Sequence, residues 1–257
     1  MPTGVLISSV VAGLLASVAC GLGALPLLIR RFDPKIYQGL GYGMAGGLMF
    51  AASVYNLIAP GLKMKVGDPD PVSLVKVVCG IVLGAVFLSM TDRWLAARPF
   101  SRKALDGWGG RAGILIFVAM TVHSIPEGVA VGVGYVSGEL EHSQFGSRIA
   151  LAIAIHNIPE GLAVAIPLRS LGMGMSKCFL AAFLTSLPQP IAAVPAVFAS
   201  WVFQPLMPVL MGFAAGAMIF LILMELIPDA LHTDKPRPIA WAFTAGFCLM
   251  LLIQIVL

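Results

Sequence analysis

Apolar residues in this chain do not recur at helical or alternating spacing. They run in blocks of about 20, separated by short polar stretches. At 1.5 Å per residue such a block crosses about 30 Å of hydrocarbon, so each one predicts a transmembrane helix. The blocks fall at 4–29, 36–62, 72–92, 113–136, 148–168, 176–198, 206–231 and 238–257, which gives eight helices. The second and seventh are long enough to tilt or to reach past the bilayer. The connections are short, so 1–257 reads as a single transmembrane domain. Within it lie three helices over 1–96, a loop over 97–113, a central pair over 114–168 and three further helices over 169–257.

Composition agrees with that pattern. Hydrophobic residues make up 59% of the chain and charged residues 11%, against roughly 25% charged in a soluble domain. The first block has no basic leader and is too long for the core of a cleaved signal, so it is expected to be retained. The loop ARPFSRKALDGWGGRAG reads as a solvated tether. Cys20, Cys79, Cys178 and Cys248 fall in four different blocks with no CxxC spacing, which predicts buried thiols and no thiolate metal site.

Charge changes the picture only by giving it a direction. Twelve of the 16 basic residues lie beyond the ends of helices one, three, five and seven: Arg30, Arg31, Lys35, Arg93, Arg98, Arg102, Lys103, Arg111, Arg169, Lys177, Lys235 and Arg237. The opposite side holds Lys63, Lys65, Lys76 and Arg148. The positive-inside rule then puts both termini outside and the long loop in the cytoplasm. The net charge of +4 follows from this topology. Nucleic-acid binding is a poor reading, because no basic patch is interleaved with aromatics.

The candidate chemistry lies in two of the blocks. The stretch from His123 to Val133, HSIPEGVAVGV, matches the stretch from His156 to Ile166, HNIPEGLAVAI, at seven of 11 positions with an offset of 33. Both copies sit near the middle of consecutive helices, which run in opposite directions. A weaker echo relates GMAGGLMFAASVYNLI (43–58) to GFAAGAMIFLILMELI (212–227) at an offset of 169, with six identities in 16. Helices two and seven also run oppositely. The expected architecture is therefore all-α, three helices, an inverted pair, then three helices, with a binding site at the midplane between repeats.

His123 and Glu127 are four residues apart, as are His156 and Glu160, so each pair projects from one helix face. A carboxylate at the bilayer centre costs about 2.5–3.5 kcal/mol on insertion scales, and no Lys or Arg lies at that depth to offset it. The missing positive charge is a bound cation or protons. Imidazole with carboxylate suits zinc, iron(II), manganese, cobalt or cadmium. Pro126 and Pro159 deprive the carbonyls of Val122 and Ile155 of their helical donors, and Gly128 and Gly161 allow the close helix approach that would bring the two pairs within coordinating distance. A neutral His–Glu packing pair and a proton relay are the other readings of the same residues.

Two HxxPEG motifs on consecutive central helices resemble the ZIP family of divalent metal transporters, and the eight-span layout extends the resemblance over essentially the whole chain. The resemblance implies a 3+2+3 inverted-repeat transporter fold and metal movement toward the cytoplasm. Zinc is the first expectation, with iron, manganese, cobalt or cadmium as further cargo. It also implies a metal site made by His123, Glu127, His156 and Glu160. The metal is then substrate, with no catalytic cofactor and no enzymatic activity. Members of the family often hold a second metal beside the first. Here Ser124 stands where an asparagine is usual and Gln189 where a glutamate is usual, while Asn157 remains and Met49 matches the helix-two ligand. A single well-formed site with a weaker transit position is therefore expected. Glu225 and Asp229 are candidate pathway residues.

The expected partners are divalent ions and the lipid bilayer, a homodimer is compatible with the reading, and the short loops suggest a prokaryotic cytoplasmic membrane. The alternative function is an intramembrane zinc-dependent hydrolase, against which stand the absence of HExxH and the presence of only two midplane histidines.

Overall fold

The computed structural model describes residues 3–28, 38–62, 71–97, 110–140, 145–170 and 172–256, and no strand occurs among them. The helices are α1 (Thr3–Leu22), α2 (38–62), α3 (Pro71–Ala97), α4 (Gly110–Leu140), α5 (Phe145–Ser170), α6 (175–198), α7 (Met207–Thr233) and α8 (Pro236–Val256). Seven of these, α1 to α7, lie in stretches long and apolar enough to cross a membrane. The described apolar stretch of α8, Pro236–Leu252, is shorter. Most of the predicted tether lies outside the described residues.

The helices are longer than several apolar blocks. α3, α4 and α5 each continue past the predicted limits at both ends. A helix satisfies its own backbone hydrogen bonds in water as well as in lipid, so apolarity marks where hydrocarbon ends and not where the helix does.

Proline interrupts three of the rods. α6 breaks at Leu187, between Met175–Ser186 and Pro188–Phe198, because Pro188 has no N–H to continue the ladder. α2 and α7 absorb Pro60 and Pro228 differently, through π turns at Ser53–Ile58 and Ile222–Leu226. The two π turns start 169 positions apart, the offset of the weaker sequence echo. A π turn widens the helix where the proline ring would otherwise strike a carbonyl of the preceding turn.

The helices form two groups. α1, α4, α5 and α6 pack on one another, and α2 and α7 pack with α8 and α3 respectively. The groups meet where α2 crosses α5 and where α7 crosses α4. Glycine permits the tightest crossings in the second group. A Cβ at Gly84 of α3 would overlap the Phe213 carbonyl oxygen of α7, and one at Gly47 of α2 would overlap that of Phe243 of α8. Backbones brought this close gain dispersion contacts, the main attraction available between helices in lipid.

α3 is the most peripheral of the seven, with 28% of its apolar window buried against 64% for α5. Its outer face carries Val75, Val82 and Met90, all exposed. Cys20 and Cys178 are buried as expected, but Cys79 and Cys248 are exposed. Those two lie on the outer helices α3 and α8, where a thiol facing lipid needs no protein cover because it behaves as a small hydrophobe.

Replacing Gly84 with Val should lower the thermal midpoint of the detergent-solubilised protein, at an overpacking cost of roughly 1–3 kcal/mol. Gly4→Val, where nothing lies within 4 Å of an added Cβ, should leave it unchanged. Equal midpoints in size-exclusion thermal-shift measurements would overturn the close-packing account.

Candidate metal centre

Three ionisable side chains converge in the core of the α1, α4, α5 and α6 group. His123 and Glu127 come from successive turns of α4, which runs on through Pro126, and Glu160 comes from α5. The His123 Nε2 atom lies 3.0 Å from Glu160 Oε1 and 3.3 Å from Glu127 Oε1. Exposure is 0% for His123, 4% for Glu127 and 3% for Glu160, so the group is shielded from bulk solvent. Potential ligand atoms of the three lie within 4.8 Å of one another, the one such His, Cys, Asp or Glu group among the described residues.

Two ligands about 2.0–2.2 Å from a tetrahedral ion lie roughly 3.3–3.5 Å apart, so these spacings need little adjustment to admit one. The arrangement also selects by chemistry. One imidazole nitrogen and two carboxylates present borderline and hard donors with no soft thiolate, which suits divalent zinc, iron or manganese. His156 lies on α5 one turn before Glu160, but its side chain is outside the described residues.

A polar network holds the far side of the centre. The Gln189 Nε2 amide donates to Glu127 Oε2, leaving Glu127 Oε1 directed at His123. The amide must face this way, because its carbonyl would repel the carboxylate. Asn157 Nδ2 shares its hydrogens among Gln189 Oε1 at 3.1 Å, Ser186 Oγ at 3.0 Å and the Ala16 carbonyl at 3.0 Å. Ser17 Oγ donates to the Ser186 carbonyl at 2.9 Å. Asn157, Gln189, Ser186 and Ser17 are all buried, so the network ties α1, α5 and α6 together where an unmade hydrogen bond would be costly.

The motif glycines act differently from expectation. Gly128 and Gly161 were expected to bring the two HxxPEG helices together, but a Cβ at Gly128 would overlap the Gln189 carbonyl of α6, and one at Gly161 the Cys20 carbonyl of α1. Each glycine therefore docks its helix on an outer neighbour. The consequence is that Gln189 reaches Glu127.

The remaining predicted residues divide. Asn157 and Gln189 join the centre through the network. Ser124 is buried, but its hydroxyl donates to the Met120 carbonyl of its own helix at 3.0 Å. Met49 is 1% exposed in the main core. Glu225 and Asp229 are half-buried on α7, in and just beyond its π turn, and do not belong to the His123 group. Ser17, Ser186 and the Ala16 carbonyl were not anticipated. The offset of 169 would have found both serines, since it pairs Ser17 with Ser186 and Ala12, Leu15, Ala24 and Pro26 with identical residues of α6.

The sequence matches the family model described as ZIP Zinc transporter over residues 98–254. It is 34% identical over 254 residues to zinc transporter GufA of Myxococcus xanthus, covering 96% of this chain and 98% of that one. It is 33% identical over 253 residues to zinc transporter ZIPB of Bordetella bronchiseptica, covering 96% and 80%. With zinc transporter ZIP11 of Homo sapiens it shares 36% over 314 residues, covering 90% and 92%.

Replacing Asn157 with Leu should remove a donor shared by three buried acceptors and destabilise the protein by roughly 1–3 kcal/mol. Thermal unfolding in detergent checks this. A midpoint equal to wild type would show that the network carries no structural weight.

Proposed function

Because this chain belongs to the ZIP zinc transporter family, we propose that it carries zinc, or a similar divalent transition metal, across the membrane toward the cytoplasm. The observation that carries the proposal is the buried group of His123, Glu127 and Glu160, whose spacing fits one ion and whose two carboxylates need a positive partner. His156, one turn from Glu160 on α5, completes the ligand set in this reading. The relatives are named as zinc transporters, and they lend no support to an intramembrane hydrolase.

The architecture we propose is a single domain of eight transmembrane helices in a 3+2+3 inverted repeat. The π turns of α2 and α7 share the offset of 169, and so do Ser17 and Ser186. The packing pairs support it too, since α2 with α8 is the inverted counterpart of α7 with α3, and α1 with α5 that of α6 with α4. Both termini then lie outside and the 97–113 loop lies in the cytoplasm, as in a prokaryotic inner membrane.

In this reading the ion exchanges bound water for His123 Nε2 and the facing carboxylate oxygens. It must displace any hydrogen that Nε2 shares with Glu127 and Glu160, because a ligating nitrogen has to present its lone pair. A +2 ion cancels the two carboxylate charges, which lowers the cost of holding them in hydrocarbon. Gln189 keeps the second oxygen of Glu127 occupied, so the centre holds one ion well. Glu225 and Asp229 provide a weaker acidic path on α7, and Met49 and Ser124 line the approach. Release follows as the group carrying the centre rocks against α2, α3, α7 and α8 at the seams where α2 meets α5 and α7 meets α4.

Liposomes containing the purified protein and a metal-sensitive dye should accumulate zinc, and iron(II), manganese and cadmium offered separately should give the selectivity order. Glu160→Gln should reduce zinc uptake at least tenfold while the protein stays folded, because it removes a costly charge. His123→Ala should do the same. Full uptake in Glu160→Gln would overturn the site assignment, and a wild type that binds zinc but moves no metal would overturn transport.

A further inference from the structure

A cavity of about 660 Å³ lies on the seam between the two helix groups, and none of His123, Glu127 and Glu160 lines it. Its volume falls in the range of about 300–1,000 Å³ typical of sites for organic ligands. Leu27 follows α1, Leu40 and Met44 belong to α2, Leu162 and Ile166 to α5, and Trp241 to α8; the other lining residues are likewise proline, glycine or alanine. All but the α8 residues fall within stretches apolar enough to span a bilayer. A groove of this lining, set among such stretches, suits hydrocarbon rather than water.

One end of the groove is charged. Arg237 immediately precedes the lining residue Pro238 and Lys235 stands three residues before it, and both are exposed. Neither forms an ion pair among the described residues. Asp234, the nearest acidic residue in sequence, is turned toward Gly39 at the start of α2. Trp241 is 70% exposed and stands four residues after Arg237, on the same face of α8. Aromatic rings with a polar edge settle at headgroup level, directly beneath basic side chains that attract phosphate.

We propose that this groove is a binding site for one anionic phospholipid, with an acyl chain between α2, α5 and α8 and its phosphate held by Lys235 and Arg237. The chain then packs on both helix groups at once. The site shares no residue with the metal centre, and its test does not depend on transport.

Native mass spectrometry of delipidated protein, titrated with phosphatidylglycerol or phosphatidylcholine, reads retention directly. Wild type should retain one phosphatidylglycerol about thirtyfold more tightly than phosphatidylcholine, given about 1 kcal/mol for each of the two basic residues near the headgroup. The double variant Lys235→Gln/Arg237→Gln should lose that preference. Leu40→Trp, which fills the groove, should weaken retention of both lipids, and the soluble headgroup glycerophosphoglycerol should not be retained. An unchanged, monodisperse size-exclusion profile of both variants shows that they are folded. If Leu40→Trp does not fold, the charge variant decides the matter. Equal retention of the two lipids by wild type, an unchanged preference in the charge variant, or unchanged retention in folded Leu40→Trp would each overturn the proposal.

Discussion

Two carboxylates buried in the middle of an apolar helix group are the constraint around which the rest of this protein is arranged. Glu127 and Glu160 are each at most 4% exposed, and each faces the same nitrogen of His123. A carboxylate in hydrocarbon is tolerated only with a compensating partner. His123 Nε2 lies within hydrogen-bonding distance of Glu160, the Gln189 amide donates to Glu127, and in the proposed function a divalent ion takes the place of the shared hydrogen and supplies the charge. Each partner comes from a different part of the chain, so the centre couples three helices.

That coupling requires backbones to approach more closely than side chains usually allow. Gly128 opens α4 to the Gln189 carbonyl, and Gly161 opens α5 to the Cys20 carbonyl. The break of α6 at Leu187 then sets Gln189 and Asn157 within hydrogen-bonding distance. The prolines and glycines of this chain are therefore not weaknesses in its helices. They determine which carbonyls are free and where neighbouring helices can touch.

The same economy is seen at the periphery. α2 and α7 pass their prolines through π turns, and α3 and α8 pack against them through glycine. The group holding the centre meets this second group along two seams, α2 with α5 and α7 with α4. In the transport mechanism proposed above, these seams are where one group would move against the other. The apolar groove beside Trp241 lies on the seam where α2 meets α5.

Much of this was legible in the sequence, because a bilayer imposes length and apolarity on every span and makes charged residues conspicuous. The seven spanning stretches, the repeated HxxPEG motif, and the ligand roles suggested for His123, Glu127 and Glu160 follow from one-dimensional facts: block length, spacing of four, and an offset of 33. The helix ends were less legible, since a helix does not stop where hydrocarbon does. Lipid-facing Cys79 and Cys248 were misread as buried, because apolar residues on either face of a membrane helix look alike in sequence. Only the tertiary structure decided that Gly128 and Gly161 face α6 and α1 rather than each other, and that Gln189 binds Glu127 through a network reaching Ala16 and Ser186. Those contacts join residues as far as 141 positions apart, and their partners are set by helix rotation and crossing, which no local spacing encodes.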